Sequence, residues 1–511
     1  MTERYFIGVD GGTESLRAGV FDARGNPLAF ASRPYPTDFP KPSWAEQNPQ
    51  DWWRALGLSV RQAVLESGVP TSSIAAICLD TTCCSVVALD ASGDPVRPAL
   101  IWMDVRSSDQ AARIAACGDD ALRVNGYGPV SAEWLAPKAL WLLENEPEHF
   151  KAARYVCEYQ DFLNFKLTGR MVASLNNASI RWYYDASRGG FQRGLFERVG
   201  LGDLLEKFPK DVLPMGEVIG PLTSSAAEHL GLPIGTPVVQ GGADAFVAMV
   251  GLGVVKPGRL AFITGSSHLH LGLSDRPLHA KGIWGTYPDA VVPGLFTVEG
   301  GQTSTGSVIA WLRRLLGDSG DYSSLTEGAS KLPPGSEGLI VLEHFQGNRT
   351  PHTDPDSRGV ISGLTLRHGA EHLFRAVLEG VAFGTEEIFA TMRRAGYVPE
   401  EFVICGGATR SDLWMQIHAN VSGVPLRLTK VADAPALGSA ILAAVGAGAF
   451  SSIPEACEQM VEFTRTIEPD LNAHAEYQPL LEAYRATYTN LKETLHVQAR
   501  IGAGSRQKLE P

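Results

Sequence analysis

Residues 238–267 read VVQGGADAFVAMVGLGVVKPGRLAFITGSS. An apolar run stops at Gln240-Gly241-Gly242 and presents one acid, Asp244, before apolar sequence resumes. Glycines let backbone crowd a ligand, and a carboxylate beside them can accept a proton from a bound hydroxyl. Further on, residues 260–263 read as a strand that ends in Thr264-Gly265-Ser266-Ser267. That turn is rich in N–H and hydroxyl donors, the chemistry of a phosphate cradle. A Gly-Gly-x-Asp run taken alone is no more than a turn. A second stretch of the same kind gives this one weight.

It lies near residue 12. An apolar strand over 5–9 ends in Asp10-Gly11-Gly12-Thr13-Glu14-Ser15, a second strand over 16–21 follows at once, and 22–26 turns into a third. This is a hairpin, so it is neither a P-loop, which needs G-x-x-x-x-G-K-[ST] before a helix, nor a Rossmann turn, since G-x-G-x-x-G is missing. Such a hairpin can be a plain turn, or can hold phosphates through its amides and hydroxyls with the Asp facing a metal shell. Residues 260–273, LAFITGSSHLHLGL, repeat the pattern. Two similar hairpins predict two related halves across a cleft, gripping one nucleotide and closing to exclude water.

The bulk properties agree. A chain of 511 residues exceeds one core, so two large domains are expected. A net charge of −12 excludes a general nucleic-acid binder, which would carry a basic stripe, but not a local nucleotide pocket. Seven cysteines, odd in number and without C-x-x-C spacing, argue against zinc and for reduced thiols. No signal-peptide core and no apolar stretch of membrane-spanning length is found, so a cytoplasmic protein without a membrane partner is expected.

Along the chain, helical spacing predicts helices over 49–67, 131–145 (with Pro137 near its first turn), 159–169, 371–394, 412–422 and 433–448. Residues 74–79 form a strand leading into Asp80-Thr81-Thr82-Cys83-Cys84-Ser85, and 402–405 a strand leading into Gly406-Gly407-Ala408-Thr409-Arg410. Residues 176–182 are polar with one buriable Arg181; 345–363 are a long turn-rich loop, a type usually functional or mobile; a polar tail follows about 498.

With these residues in hand, the chain resembles the FGGY carbohydrate kinases from about residue 5 to 448. The resemblance rests on the order of Asp10-Gly11-Gly12-Thr13, Gly241-Gly242-x-Asp244, Thr264-Gly265-Ser266, Gly301-Gln302 and the segment 405–426, CGGATRSDLWMQIHANVSGVPL. A first family signature around Lys138 and Trp141 fits loosely, with Ala139 where a bulky apolar residue is usual. The resemblance implies an α/β fold of two ribonuclease-H-like (actin- or hexokinase-like) domains flanking a deep cleft. Residues 1–252 would form the sugar-binding domain, 253–498 the nucleotide-binding domain and 499–511 a disordered tail; a homodimer is expected. It further implies that Asp244 is the general base for a sugar hydroxyl attacking ATP. Asp10 and Asp244 would order the Mg²⁺ shell; Gly11, Gly12 and Thr13 would hold the transferring phosphate, and Thr264, Gly265 and Ser266 the others. Gly406, Gly407 and Ala408 would face adenosine, with Gln302 and Arg410 as further nucleotide candidates.

Within the family, VSAEWLAPKALW and DTTCCSVVALD are similar to ribulokinase segments, and the Gln-Met-His motif usual in xylulokinases is missing. Arg181 stands where L-ribulokinases usually carry a sugar-contacting Lys, and Glu299 matches an acid of their pocket. Trp102-Met-Asp104-x-Arg106 is more similar to the D-ribulose branch. The expected substrate is a pentulose, D-ribulose first; L-ribulose, xylulose and polyols such as glycerol or erythritol stay open. Glu133 and Asp104 are sugar ligands or buried ion-pair members, Cys84 lines the pocket, and His268 and His270 belong to a packed strand rather than a metal site. A nucleotide-driven chaperone or a non-catalytic sugar sensor would share the fold. No peptide-binding domain is evident, and Asp244 argues against the sensor.

Overall fold

The computed structural model describes residues 4–317 and 323–507, with side chains to 502. Strand Tyr5–Gly11 pairs antiparallel with Ser15–Asp22, which pairs antiparallel with Pro27–Pro34. On its other flank Tyr5–Gly11 runs parallel to Ile74–Thr81, and Pro237–Val239 and Val218–Pro221 complete a six-stranded sheet. The second half repeats this order. Arg259–Thr264 pairs antiparallel with His268–Ser274, then Phe296–Gln302, and lies parallel to Glu401–Gly406 on its other side. Phe6, Ile7 and Val9 are fully buried because helices cover both faces of the first sheet, as parallel pairing requires. The fold is thus the two-domain actin- or hexokinase-like fold, with both hairpins at the cleft.

Helix Ala434–Gly446 returns from the second half to pack on Tyr5–Gly11, Ile74–Thr81 and helix Asp244–Gly251. Its alanines and glycines permit this approach. A Cβ on Gly8 would lie 2.0 Å from the carbonyl oxygen of Ala436, and one on Gly438 2.1 Å from that of Val247. One hydrophobic cluster accordingly draws Phe6, Phe21 and Val239 from the first half and Val403 and Leu437 from the second.

Helices form where spacing and caps agree. Pro49–Ser67 starts at Asn48, whose side chain accepts from Gln50 N–H, and stops at Gly68 in the left-handed region. Tyr159–Thr168 opens on a capping box of Glu158 and Asp161 and closes at Gly169. Helices 371–394, 412–422 and 433–448 are found as Ala370–Arg394, Asp412–Ser422 and Ala434–Gly446.

The structure adds detail at four places. The helix expected from 131 begins at Leu135, leaving Glu133 on the turn before it. The polar stretch 176–182 is mostly helix, Leu175–Arg181, buried on most sides. The loop 345–363 ends in strand Val360–Ser362, paired with Ile340–Leu342. The final helix, Leu471–Gln507, continues past 499 with Ala499 buried, so 499–507 is no loose tail; 508–511 lie outside the described residues. Among the described residues no helix is long and apolar enough to cross a membrane.

Candidate active site

Two cavities meet between the halves. The first, about 590 Å³, is lined by Asp10, Gly12, Thr13, Arg17, Gly406, Gly407, Arg410 and Asp433. The second, about 480 Å³, is lined by Cys83, Cys84, Trp102, Glu133, Arg181, Ser266, Glu299 and Arg349. Thr13, Thr82, Asp244 and Ala245 belong to both walls. A third cavity of about 980 Å³, walled by Ile309, Phe374, Ala408 and Trp414, continues from the first through Gly407 and Arg410.

Asp244 is the first residue of helix Asp244–Gly251, and its Oδ1 accepts from Ala245 N–H at 2.7 Å. Burial pushes its carboxyl up to about 6 against that hydrogen bond. Asp10, at the end of the first strand, is pushed up to about 7 by burial and by the neighbouring charges of Asp244 and Asp433. Asp10 and Asp244 both line the first cavity as oxygen donors. Among the described residues no group of three or more acids, histidines or cysteines could hold a metal ion by itself. That donor set suits Mg²⁺, which keeps most of its waters and takes oxygens from phosphates. Arg17 ion-pairs with Asp433 across the first cavity.

The second cavity spans the halves. Arg181 Nη2 meets both carboxylate oxygens of Glu299 at 3.0 Å, Arg181 Nη1 donates to Tyr287 Oη at 2.9 Å, and Tyr287 donates to Glu299 at 3.0 Å. The guanidinium holds the Glu299 carboxyl below its usual range although burial opposes this. Arg349 lies 3.6 Å from Glu299 and stacks over Trp284 at 4.0 Å. The indole N–H of Trp102 donates to Thr13 Oγ1 at 2.9 Å, tying the wall of the second cavity to the first hairpin turn.

Asp10, Thr13, Asp244, Arg181, Glu299, Glu133, Cys84, Ser266, Gly406, Gly407 and Arg410 therefore converge on the cavities. Others do other work. Asp104 is fully buried and taken up by Arg106 Nε at 2.9 Å and Ala45 N–H at 2.7 Å, so it is a buried ion-pair member on the wall of neither cavity. The Thr264 hydroxyl donates to Cys405 O at 2.6 Å and accepts from Ala408 N–H at 3.1 Å, so it ties two turns together. The Gln302 amide is spent on Glu343, Val381 O and Thr385, and it lines the second cavity and not the first. Gly11 packs against Thr81 and Tyr159 behind the hairpin. The amide of Gly12 closes the turn on Ser15 O at 3.0 Å, and that of Gly265 does the same on Ser267 O at 2.9 Å. The rings of His268 and His270 pack on Phe262, as a strand face would.

Arg17, Asp433 and Arg349 carry no sequence assignment. Arg349 sits in the turn-rich loop whose length marks it as functional, and that is its only signal. Asp433 lies 423 residues from Asp10 (433 − 10), so local sequence does not connect them.

The family model for the "FGGY family of carbohydrate kinases, N-terminal domain" matches residues 5–251 and that for the C-terminal domain residues 260–447. The chain belongs to the FGGY family of carbohydrate kinases. It is 31% identical to a ribulokinase of Geobacillus thermodenitrificans, covering 95% of this chain and 94% of the relative. It is also 31% identical to a human FGGY carbohydrate kinase domain-containing protein, over 97% and 98%. Among solved structures, a xylulose kinase from Rhodospirillum rubrum superposes with a TM-score of 0.87 at 29% identity, over 96% of this chain and all of that one.

Proposed function

We propose that this enzyme transfers the γ-phosphoryl group of ATP to a terminal hydroxyl of a ketopentose, D-ribulose first, giving the 5-phosphate and ADP. The observation that carries this reading is the placement of Asp244 on the wall common to both cavities. A sugar in the second cavity and a triphosphate in the first would meet at its carboxylate. Ala245 N–H occupies Oδ1 and leaves Oδ2 for the sugar hydroxyl. As the hydroxyl oxygen attacks phosphorus, the bond to the ADP oxygen breaks and the hydroxyl proton passes to Asp244. A carboxyl raised to about 6 by burial is a better base than an exposed one. Mg²⁺, when bound beside Asp10 and Asp244, would neutralise phosphate charge. Thr13, Arg17, Gly406 and Gly407 would position the phosphates, and the apolar third cavity beside Ala408 and Arg410 would take the base. Glu133, Arg181, Glu299 and Arg349 would hold the sugar hydroxyls.

Relatives named ribulokinase and the ribulokinase-like segments around Cys84 and Glu133 support a pentulose. The test is ADP release with Mg-ATP over D-ribulose, L-ribulose, D-xylulose, glycerol and erythritol, for wild type and Asp244→Ala. D-ribulose should stimulate most, and the variant should lose turnover by several orders of magnitude, on the order of 10³ or more, since base and positioning are lost together. Preference for another compound overturns the substrate. An Asp244→Ala enzyme as active as wild type overturns the mechanism.

A further inference from the structure

Cys83 and Cys84 are adjacent in the chain, yet both line the second cavity and their sulfurs lie 3.6 Å apart. Successive side chains on an extended strand point to opposite faces. Here they do not, because Cys84 adopts φ 64°, in the left-handed region that a residue with a Cβ rarely enters. Three contacts over-determine that conformation. Cys84 N–H donates to Glu158 Oε2 at 2.7 Å, its carbonyl accepts from the buried ammonium of Lys138 at 2.8 Å, and the same ammonium grips Ile101 O at 2.6 Å. The turn that directs both thiols into the cavity is thus anchored from behind by a buried acid and a buried base.

We propose that Cys83 and Cys84 form a two-sulfur binding site for trivalent arsenicals inside this cavity. A disulfide would require the sulfurs to close from 3.6 Å to about 2.05 Å, against the anchored turn. One thiophilic atom bridging both sulfurs needs no such closure. Oxidation also needs a thiolate, and the neighbouring Cys83 thiol, with burial, pushes the Cys84 thiol up. With phenylarsine oxide, two S–H bonds and the As–O bond break, two As–S bonds form, and both thiol protons leave with the oxygen as one water. Arsenic stays trivalent throughout. Cys84 is itself buried and Cys83 partly exposed, but both line this cavity, whereas none of the other five cysteines does, and of those only Cys117 is partly exposed.

The test is titration of the full-length protein with phenylarsine oxide, read by intact mass and by counting free thiols in the native state. The expected result is one arsenical per chain with loss of two thiols, reversed by a dithiol and not by a monothiol at equal thiol concentration. Cys83→Ser and Cys84→Ser should each bind at least tenfold more weakly, with Cys83→Ala and Cys84→Ala repeating the result should a serine disturb the fold. Undiminished binding in these variants, or loss of one thiol per arsenical, overturns the proposal. Competition between arsenical and D-ribulose, which rests on the sugar-site reading above, is measured separately. If stoichiometric binding survives saturating sugar, the thiol site stands and the sugar-site reading fails.

Discussion

The Arg181–Glu299 pair joins the two halves at the second cavity, and its removal has a calculable consequence. Both side chains are nearly sealed from solvent, at 5% and 1% exposure, and Arg181 Nη2 meets both Glu299 oxygens with Tyr287 bridging the pair. Replacing Arg181 by Met leaves a carboxylate in a dry site. Breaking a buried pair this way costs about 3–5 kcal/mol. Arg349, 3.6 Å from Glu299, and the Tyr287 hydroxyl remain to share that charge, so the lower end, about 3 kcal/mol, is expected. For a domain of this size that is a fall of roughly 6–12 °C in Tm. Arg181→Met/Glu299→Gln removes both charges, so it should be more stable than Arg181→Met by about 2 kcal/mol, the cost of the orphaned charge. Urea unfolding of wild type, both single variants and the double variant closes the cycle. A double variant whose loss equals the sum of the single losses would refute the reasoning, since the charges would then not be coupled.

Two further outcomes are expected. Arg349→Ala should raise KM for the sugar by roughly 10–100-fold, the worth of one or two charge-assisted hydrogen bonds, with KM for ATP nearly unchanged; steady-state kinetics in both substrates check it, and an equal rise for ATP counts against the assignment. The buried histidines 268, 270 and 418 give an acid sensitivity. Burial holds His270 and His418 down to about 3 and His268 well below its usual value. Their folded pKa lies below the unfolded 6.5, so the stability they contribute is complete above pH 6.5 and is lost as pH falls from there toward 3. At pH 5 the loss is about 2 kcal/mol for each of His270 and His418. Buried acids such as Asp161, pushed up to about 8, act in the opposite sense, so the readout is the difference between wild type and His418→Phe in urea unfolding at pH 5 and pH 8. Equal pH dependence in both proteins would exclude the cluster as its source.

Much of this was legible in the chain because it is local. Each hairpin is a short apolar strand, a Gly/Thr/Ser turn and a second strand. The steric freedom of glycine and the alternation of apolar residues specify it within about fifteen residues. Asp10, Asp244, Gly406 and Gly407 sit at the ends of such strands, where a parallel sheet opens its crevice, so their convergence could be anticipated. The repeat of the hairpin foretold two halves and a cleft.

Tertiary structure alone decided which polar groups face that cleft. Asp104 and Glu299 are both acids among apolar residues, but Arg106, two residues away, consumes Asp104, whereas the partners of Glu299 come from 118 and 12 residues away. Thr264 lies in a phosphate-like turn, yet its hydroxyl is used by a strand 141 residues distant. Hydrogen-bond capacity is finite, and whether a donor or acceptor remains for a ligand depends on every neighbour packed around it. The sequence by itself determined the strands, the turns, the repeat and the acid beside the glycines. The packing of helix Ala434–Gly446 across both halves, the Arg181–Glu299 clasp, the Arg17–Asp433 pair and the paired thiols of Cys83 and Cys84 were decided by long-range contact, which no local periodicity encodes.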